Sequence, residues 1–399
     1  MLSDAPRMAP PDIVCLSHLP WAFCLERPHQ VMRRFARDRH VFFVEEPIVD
    51  GVELRTVMKT VEPNVHVVSL VVPSDMAREE IEVAHRRCVA SLAGHAERPL
   101  LWVYAPSSLA AARDLHPSLL VYDCVADHAA RRDATPAERT SESELLARAD
   151  LVLTAGTSLF EAKRARNVST FPLPSSVDAE RFAAGARVPE RNDLATLLSA
   201  RGPRVGFLGP IDDRVDLAIV DQLAAARPDV QIVLAGGLVR MTTWDLPDRP
   251  NVHWLDTLDE ADLATHVTSW DVAILPFRRD AATRRTEPSG LLPCLAAGKP
   301  IVSTPLDEVI PYAERGLVEI AGPHELASAV EEALRRTHDP VSAALRTIAA
   351  DGMLARTSWD RTFSAMLRLV DEALMGRAVA ARRRDAPPER QSERLLRSA

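Results

Sequence analysis

The feature that most constrains the fold is a regular alternation of short apolar runs with stretches of helical spacing, which occurs twice along the chain. Runs of this length between helical segments predict the buried strands of parallel sheets that helices cover on both faces. In the first half the predicted strands are Ile13–Leu16, Val41–Val44, Val65–Val72, Leu100–Tyr104, Leu119–Val125, Leu151–Thr154 and Ser169–Pro172. In the second half they are Val205–Leu208, Val230–Ala235, Val252–Leu255, Val272–Leu275, Ile301–Ser303 and Leu317–Ile320. We therefore predict an α/β protein with two doubly wound, Rossmann-like domains.

The two series are separated by a stretch rich in alanine, arginine and proline at 183–203, where the alternation stops. A chain of 399 residues is long for one hydrophobic core, so two domains joined by a linker are expected. We assign 1–182 to the N-terminal domain, 204–358 to the C-terminal domain and 359–376 to a final helix. The basic stretch 377–399 is expected to be a disordered tail.

Composition narrows the class of protein. Apolar residues make up 47% and charged residues 26%, which is typical of a globular chain. The net charge of -8 argues against a nucleic-acid partner bound by overall attraction to phosphate. The five cysteines are scattered without a C-x-x-C pair, which predicts neither a disulfide framework nor a zinc site. We expect a cytoplasmic location, with the basic tail either touching anionic lipid at the membrane or simply solvated.

Candidate binding and catalytic residues are expected in the turns that follow strands, because ligands of parallel sheets bind beyond the carboxyl ends of the strands. Gly209 and Arg214 follow the strand Val205–Leu208, and Gly236 follows Val230–Ala235. Glycine lets the backbone approach a phosphate, and arginine adds a positive charge. An ordinary strand-to-helix turn with a capping aspartate explains the same residues. A G-x-G-x-x-G fingerprint is missing here, so a nicotinamide or flavin dinucleotide is not predicted.

A second candidate is the loop Arg278–Gly298, which follows the strand Val272–Leu275 and reads RRDAATRRTEPSGLLPCLAAG. Its four arginines and its hydroxyl groups are suited to hold a diphosphate. A solvated polar loop is the competing interpretation.

The loops after the N-terminal strands carry a third set of candidates. His18, Trp21 and Arg27 follow the first strand, Glu45 follows the second, and Asp123 belongs to Leu119–Val125. Imidazole and carboxylate groups can orient or deprotonate a hydroxyl, and an indole ring can stack on a sugar. The alternatives are an exposed loop histidine and a tryptophan that closes the core.

Motifs of several other chemistries are missing from the sequence, which contains no D-x-D triplet, P-loop, G-x-S-x-G elbow or H-E-x-x-H helix. We therefore predict no metal ion and no cofactor.

Several stretches resemble bacterial family 4 glycosyltransferases, the group 1 type with the GT-B fold. In the first half these are HLPW, ERPHQ, VFFVEEP, VYDC and LLARADLVLTAGTSLFEAKRARN followed by PSSVDAERF. In the second half they are GFLG, DVAILPF and LAAGKPIVSTPLDEVIPY. The resemblance extends from about Asp12 to about Leu374.

The resemblance implies a hexosyltransferase of the kind used in polysaccharide biosynthesis, with two domains facing across a cleft and a C-terminal helix that crosses back. The C-terminal domain would bind a nucleotide-sugar donor, and the N-terminal domain a glycan, lipid-linked or small-molecule acceptor. Such enzymes usually retain the anomeric configuration without a metal ion, because basic side chains and helix N-termini stabilise the departing diphosphate. The implied catalytic residues are His18 and Asp123, and the implied acceptor-binding residues are Trp21, Arg27 and Glu45. The implied donor-binding residues are Gly209, Arg214, Gly236, Phe277, Thr283, Arg284, Arg285, Ser289 and Gly290.

The sequence departs from the family at two positions of the predicted donor loop. Members usually carry a lysine where this chain has Gly290 and a glutamate where it has Pro293. Losing a charged contact to a diphosphate costs about 1.5 to 3 kcal/mol unless another group replaces it, and Arg214, Arg284 and Arg285 are the candidates to do so. Two hypotheses follow: an active transferase with a remodelled donor site, or a degenerate protein that acts as the scaffold of an active one. A sugar-nucleotide epimerase is a distant third.

Overall fold

The computed structural model describes residues 10–23, 26–95, 98–131, 134–183, 201–256, 260–337 and 339–384. The first half of the described chain forms a nine-stranded sheet in the order β3-β5-β2-β1-β6-β7-β8-β9, with β4 paired to the outer side of β5. Its strands are β1 Ile13–Leu16, β2 Val41–Val44, β3 Ile48–Gly51, β4 Arg55–Glu62, β5 Val65–Pro73, β6 Leu100–Val103, β7 Leu119–Cys124, β8 Leu151–Thr154 and β9 Thr170–Pro172. All pairings are parallel except that of β4 with β5.

The second half forms a six-stranded parallel sheet in the order β12-β11-β10-β13-β14-β15. Its strands are β10 Arg204–Leu208, β11 Gln231–Ala235, β12 Val252–Leu255, β13 Val272–Leu275, β14 Ile301–Ser303 and β15 Val318–Ile320. Numbered within the domain, this is the strand order 3-2-1-4-5-6 of a Rossmann fold. The predicted α/β class with two doubly wound parallel sheets is therefore confirmed.

Helices follow most of the strands, as the alternation predicts. They are α1 Arg27–Phe35, α2 Arg78–Ser91, α3 Pro136–Arg148, α4 Thr157–Lys163, α5 Ala179–Ala183, α6 Leu217–Ala226, α7 Glu260–Ser269, α8 Leu291–Ala296, α9 Ile310–Ala313, α10 Leu326–Arg336, α11 Pro340–Leu354 and α12 Trp359–Arg384. Short 3-10 turns occur at Leu92–Gly94, Pro106–Ala112, His128–Ala130, Thr243–Asp245 and Thr283–Arg285. None of the described helices is both long and apolar enough to span a membrane.

The sequence did not predict the strands β3 and β4. Both lie at the surface, and β4 mixes Arg55, Lys59 and Glu62 with its apolar residues, so it lacks the apolar run of a buried strand. It pairs antiparallel with β5 at the edge of the sheet. Charged residues are common on such edge strands.

The last helix, α12, packs on the N-terminal domain although it follows the C-terminal one. Trp359, Phe363, Met366 and Val370 belong to the same apolar core as β1 and α1. The rings of Phe363 and Phe35 pack edge to face with their centroids 4.7 Å apart. This packing ties the two ends of the chain together.

The end of α12 corrects one predicted boundary. The helix was expected to end at 376, but it continues to Arg384, and residues 385–399 of the predicted tail lie outside the described part of the chain. Arg377 holds this extension to the N-terminal domain, with its Nη1 2.7 Å from Asp150 Oδ2. Most of the predicted linker, residues 184–200, also lies outside the described residues.

Candidate active site

A cavity of about 530 Å³ lies between the two domains. It is lined by the loops after β1 and β6 of one sheet and after β10 and β13 of the other. In each sheet these two strands are neighbours at the point where the strand order reverses, which is where doubly wound folds bind ligands. In each domain, the part of the sheet where a ligand is expected to bind therefore faces this cavity.

On the C-terminal wall, the turn after β10 meets the turn before α8. Gly209 has a φ of +139°, and a Cβ added to it would lie 2.8 Å from the hydroxyl of Ser289. Arg214, at the end of the first turn, reaches the cavity wall and donates to both oxygens of Asp212, from Nε at 3.0 and 2.9 Å and from Nη2 at 2.6 Å. Although burial opposes it, this pairing lowers the pKa of Asp212. The guanidinium is thus held in place by a carboxylate of its own turn.

Gly290 lies behind Ser289, against strand β10. A Cβ at this position would collide with the carbonyl oxygen of Leu208. Real Cβ atoms do not approach a backbone oxygen so closely, and a backbone cannot move aside as a flexible side chain can. The packing therefore requires glycine at position 290.

On the N-terminal wall, His18 and His128 pack edge to face with ring centroids 6.0 Å apart. Burial, followed by His128, Arg214 and Arg240, lowers the pKa of His18 to about 3. Burial, followed by Arg214 and Arg131, likewise lowers the pKa of His128 to about 3. Both rings are therefore uncharged at neutral pH. Within the described chain, His18 Nδ1 and His128 Nε2 are buried without a hydrogen-bond partner.

Two carboxyl groups of the cavity are protonated more easily than usual. Burial raises the pKa of Glu26 to about 7, against the opposing effects of a hydrogen bond with Ser289 and the charge of Arg214. Burial also raises the pKa of Glu287 to about 7, although this carboxylate accepts the Ser175 N–H at 3.1 Å with each oxygen. Glu26 comes from the N-terminal domain and Glu287 from the C-terminal domain, so each reaches across the cleft.

Polar contacts join the two walls around the cavity. Arg285 Nη1 lies 2.7 Å from Asp127 Oδ2. Glu308 accepts the backbone N–H of Ser158 at 2.6 Å. Two further ion pairs across the cleft join Arg240 with Glu46 at 3.1 Å and Arg131 with Asp213 at 3.6 Å. These contacts hold the domains in a closed arrangement.

The structure brings six of the sequence-predicted site residues to the cavity wall. They are His18, Arg27, Gly209, Arg214, Phe277 and Ser289.

Three candidates of the N-terminal domain lie off the cavity wall. Asp123 is fully buried and binds the guanidinium of Arg27, whose Nε is 3.0 Å from Oδ1, so it positions Arg27 from behind the cavity wall. Trp21 packs edge to face on Phe43 at a centroid distance of 4.9 Å, as the core alternative expected. Glu45 accepts the N–H of Trp21 at 2.8 Å and the Ser69 hydroxyl at 2.6 Å.

The arginines of the loop 278–290 are not on the cavity wall either. Arg284 is paired with Asp307 at 3.0 Å and its side chain is 57% exposed, while Arg285 is paired with Asp127. Thr283 is buried beneath them. Nearby carboxylates hold both side chains away from the cavity wall, so the replacement of a lysine by Arg284 and Arg285 stays a prediction. Gly236 and Gly290 pack behind the wall.

Sequence reasoning missed Glu26 and Glu287 as site residues. Glu26 directly precedes Arg27, and Glu287 directly precedes the Pro288-Ser289-Gly290 turn, so both stand inside motifs that were singled out. Both side chains are buried by contact with the opposite domain, and the residues around them in the sequence give no indication of that contact. No three His, Cys, Asp or Glu side chains in the described ranges are placed to share a metal ion.

Comparisons with known proteins agree with this architecture. Residues 184–336 match the family model described as Glycosyl transferases group 1. A curated relative from Bacillus subtilis (strain 168), described as putative teichuronic acid biosynthesis glycosyltransferase TuaH, is 26% identical over 204 residues. That match covers 49% of this chain and 49% of the relative.

Solved structures resemble nearly the whole chain. Sucrose-phosphate synthase from Thermosynechococcus elongatus has a TM-score of 0.68 at 16% identity and covers 92% of this chain and 100% of its own. Anabaena HepE in complex with UDP-glucose has a TM-score of 0.66 at 14% identity and covers 91% and 100%. The lipopolysaccharide glycosyltransferase WaaG has a TM-score of 0.61 at 14% identity and covers 89% and 98%. At these identities the likeness shows the fold. The chain thus has the GT-B fold, and its residues 184–336 match the family model of the group 1 glycosyl transferases.

Proposed function

We propose that the protein is a glycosyltransferase that moves a hexose from a nucleotide-sugar donor to a hydroxyl of a glycan, lipid-linked or small-molecule acceptor. The observation that carries this proposal is the closed cavity at the switch points of both sheets, with the two turns at Gly209 and Ser289 on one wall and His18 on the other. Two facing binding edges suit a reaction between two substrates. The family match and the UDP-glucose complex of HepE support a nucleotide sugar as one of them.

The donor diphosphate is expected at the C-terminal wall. Gly209 leaves room beside the Ser289 hydroxyl, and Arg214 contributes the positive charge there. An arginine binds phosphate oxygens through two parallel hydrogen bonds, which compensates for the lysine that Gly290 excludes. The charge that develops on the departing diphosphate is stabilised by these donors as the bond to the sugar breaks.

Acceptor and sugar hydroxyls are expected at the N-terminal wall. The uncharged rings of His18 and His128 each offer either a donor or an acceptor at a buried nitrogen, which matches the hydrogen-bonding of a hydroxyl. Arg27, held by Asp123 and by the Leu173 carbonyl at 2.6 Å, offers a rigid donor group on the same wall. We propose front-side attack by the acceptor hydroxyl with retention of configuration and without a metal ion, the leaving phosphate accepting the proton.

The test is a panel of nucleotide sugars, starting with UDP-glucose and including GDP-, ADP- and dTDP-linked hexoses. Isothermal titration calorimetry measures binding to the full chain, and product detection measures slow hydrolysis of the donor in the absence of acceptor. Binding with a dissociation constant on the order of 1 µM to 1 mM and release of the free nucleotide are expected for one donor. If no member of the panel is bound or hydrolysed, the proposal is wrong.

A scaffold without chemistry is the second candidate, favoured by one observation. Three predicted phosphate ligands, Arg214, Arg284 and Arg285, are each paired with a carboxylate. On this alternative the pairs stabilise the closed fold, and the protein serves as partner of an active transferase. The same panel decides, because a scaffold is expected to bind no donor, whereas measurable turnover excludes it.

A further inference from the structure

Glu26 is a carboxyl group of the N-terminal domain that lines the cavity beside the two phosphate-side turns of the C-terminal domain. Its side chain is hydrogen-bonded to Ser289 and lies within the field of Arg214 and Asp212. The Ser289 hydroxyl in turn marks the narrow space in front of Gly209. Glu26 therefore binds the Ser289 hydroxyl and lies near the Arg214 guanidinium, and these are the two groups that the proposed diphosphate would use.

A carboxylate and a phosphate oxygen compete for such groups, because both are anionic acceptors of hydroxyl and guanidinium donors. Their charges also repel each other strongly at short distance in a buried site. Arg214 is already paired with Asp212, so a charged Glu26 and a diphosphate would compete for the same guanidinium and for the Ser289 hydroxyl. A charged Glu26 is thus incompatible with a bound diphosphate, while a protonated one is not.

We propose that Glu26 is an internal competitor of the donor diphosphate, so that donor binding requires the protonated Glu26 carboxyl. This inference rests on the proposed function, since it concerns the same donor site. It makes Glu26 a residue that regulates donor affinity with pH and not one that takes part in the chemistry.

The direction of the pH effect follows from the surroundings of the group. Burial raises the pKa of Glu26 to about 7, with Ser289 and Arg214 lowering it and Asp212 raising it. His18 and His128, which also lie near Arg214, have pKa values of about 3 and stay uncharged over this range. Below pH 7 Glu26 is mostly neutral and ready for the donor, and above pH 7 it is mostly charged. A bound diphosphate raises the pKa further, so binding takes up a proton.

The experiment measures UDP and GDP binding to the full chain by calorimetry at about pH 6 and about pH 8. Variants are compared at one pH, because the terminal phosphate of the nucleotide itself titrates near pH 6. Since about one tenth of Glu26 is protonated at pH 8, Glu26→Gln is expected to bind roughly tenfold more tightly than the wild type at pH 8, and about equally at pH 6.

Glu287→Gln is the matched control, because Glu287 has the same raised pKa but contacts Ser175 instead of Ser289. The ratio of its dissociation constant to that of the wild type is expected to be the same at both pH values. A pH-dependent ratio for Glu287→Gln but not for Glu26→Gln overturns the inference.

A second measurement uses the wild type alone and so does not depend on the folding of a variant. Titration at pH 8 in two buffers of different ionisation enthalpy should show nearly one proton taken up for each nucleotide bound. Nucleotide binding without proton uptake, or equal affinities of wild type and Glu26→Gln at pH 8, overturns this inference and leaves the proposed function intact. Binding of neither nucleotide by any variant at either pH overturns both.

Discussion

Two segments of the C-terminal domain follow strands at the cleft, and they use their arginines differently. The turn 209–214 has one arginine, and it reaches the cavity wall. The segment 278–290 has four, yet Arg284 and Arg285 are held by Asp307 and Asp127 away from the wall. The residues of this segment that line the cavity are Ala282 and those from Thr286 to Ser289.

The difference indicates that position relative to the strand order, and not the number of charges, decides which arginine lines the cavity. Arg214 is fixed six residues beyond β10, at the switch point of the sheet, with Asp212 of its own turn to orient it. In the longer segment, Arg284 and Arg285 form ion pairs with carboxylates of neighbouring loops, which attract them. An arginine-rich loop is therefore a weaker indication of a charge at the cavity wall than a single arginine in a short turn.

The largest expected effect concerns the point where the two segments touch, at Gly290. Gly290→Ala is expected to lower the free energy of unfolding by about 3 kcal/mol, because its Cβ meets the Leu208 carbonyl and forces the backbones apart. Urea denaturation of both forms measures this change. If the variant is as stable as the wild type, the segments are not packed as described.

Gly352 supplies the control for this substitution. It lies in α11, and a Cβ added there meets no atom within 4 Å. Gly352→Ala is therefore expected to increase the free energy of unfolding by about 0.5 to 1 kcal/mol, through the higher helix propensity of alanine.

The next effect tests the comparison directly at its arginines. Arg214→Ala is expected to weaken nucleotide diphosphate binding tenfold to hundredfold, since it removes a charged contact and leaves Asp212 facing the phosphate unpaired. Arg284→Ala, on the exposed side of the longer segment, should change the affinity less than twofold. Calorimetry with UDP or GDP measures the dissociation constant of each variant relative to that of the wild type. An equal loss in the two variants would contradict the difference between the segments.

The part of this molecule that the sequence predicts is the part set by local periodicity. Apolar runs such as Val272–Leu275 are recognisable because a strand buried on both faces needs apolar side chains throughout. The exposed strand β4 has no such requirement and was missed. The position of His18 and Arg214 also follows from the sequence, because the ends of strands fix them.

The features that sequence reasoning did not find depend on contacts between distant segments. Gly290 has a common φ, so nothing local marks it, and only the proximity of Leu208 explains it. Asp123 has a residue type suited to catalysis, but 96 positions separate it from Arg27, the residue that it binds. The raised pKa values of Glu26 and Glu287 likewise arise from burial by the opposite domain.

The smallest expected effect tests what the arginines of the longer segment do instead of binding phosphate. Arg285 joins the domains through Asp127, whose side chain is only 7% exposed and also receives Lys163 at 2.7 Å. A double-mutant cycle with Arg285→Ala and Asp127→Asn should give a coupling energy of about 1 kcal/mol, because the pair is partly shielded from water.

The pair of Arg284 with Asp307 is the matched control, since both arginines belong to one short turn but Arg284 is 57% exposed and Arg285 only 29%. Solvent screens the more exposed pair, so its cycle is expected to give about 0.3 kcal/mol. At 1 M salt the coupling energy should fall less for the pair of Arg285 with Asp127 than for the pair of Arg284 with Asp307, because a shielded pair is screened less. Coupling energies that are equal in the two cycles would contradict the stronger, shielded bridge across the cleft, and a coupling energy near zero for Arg285 with Asp127 would show that this bridge does not form in solution.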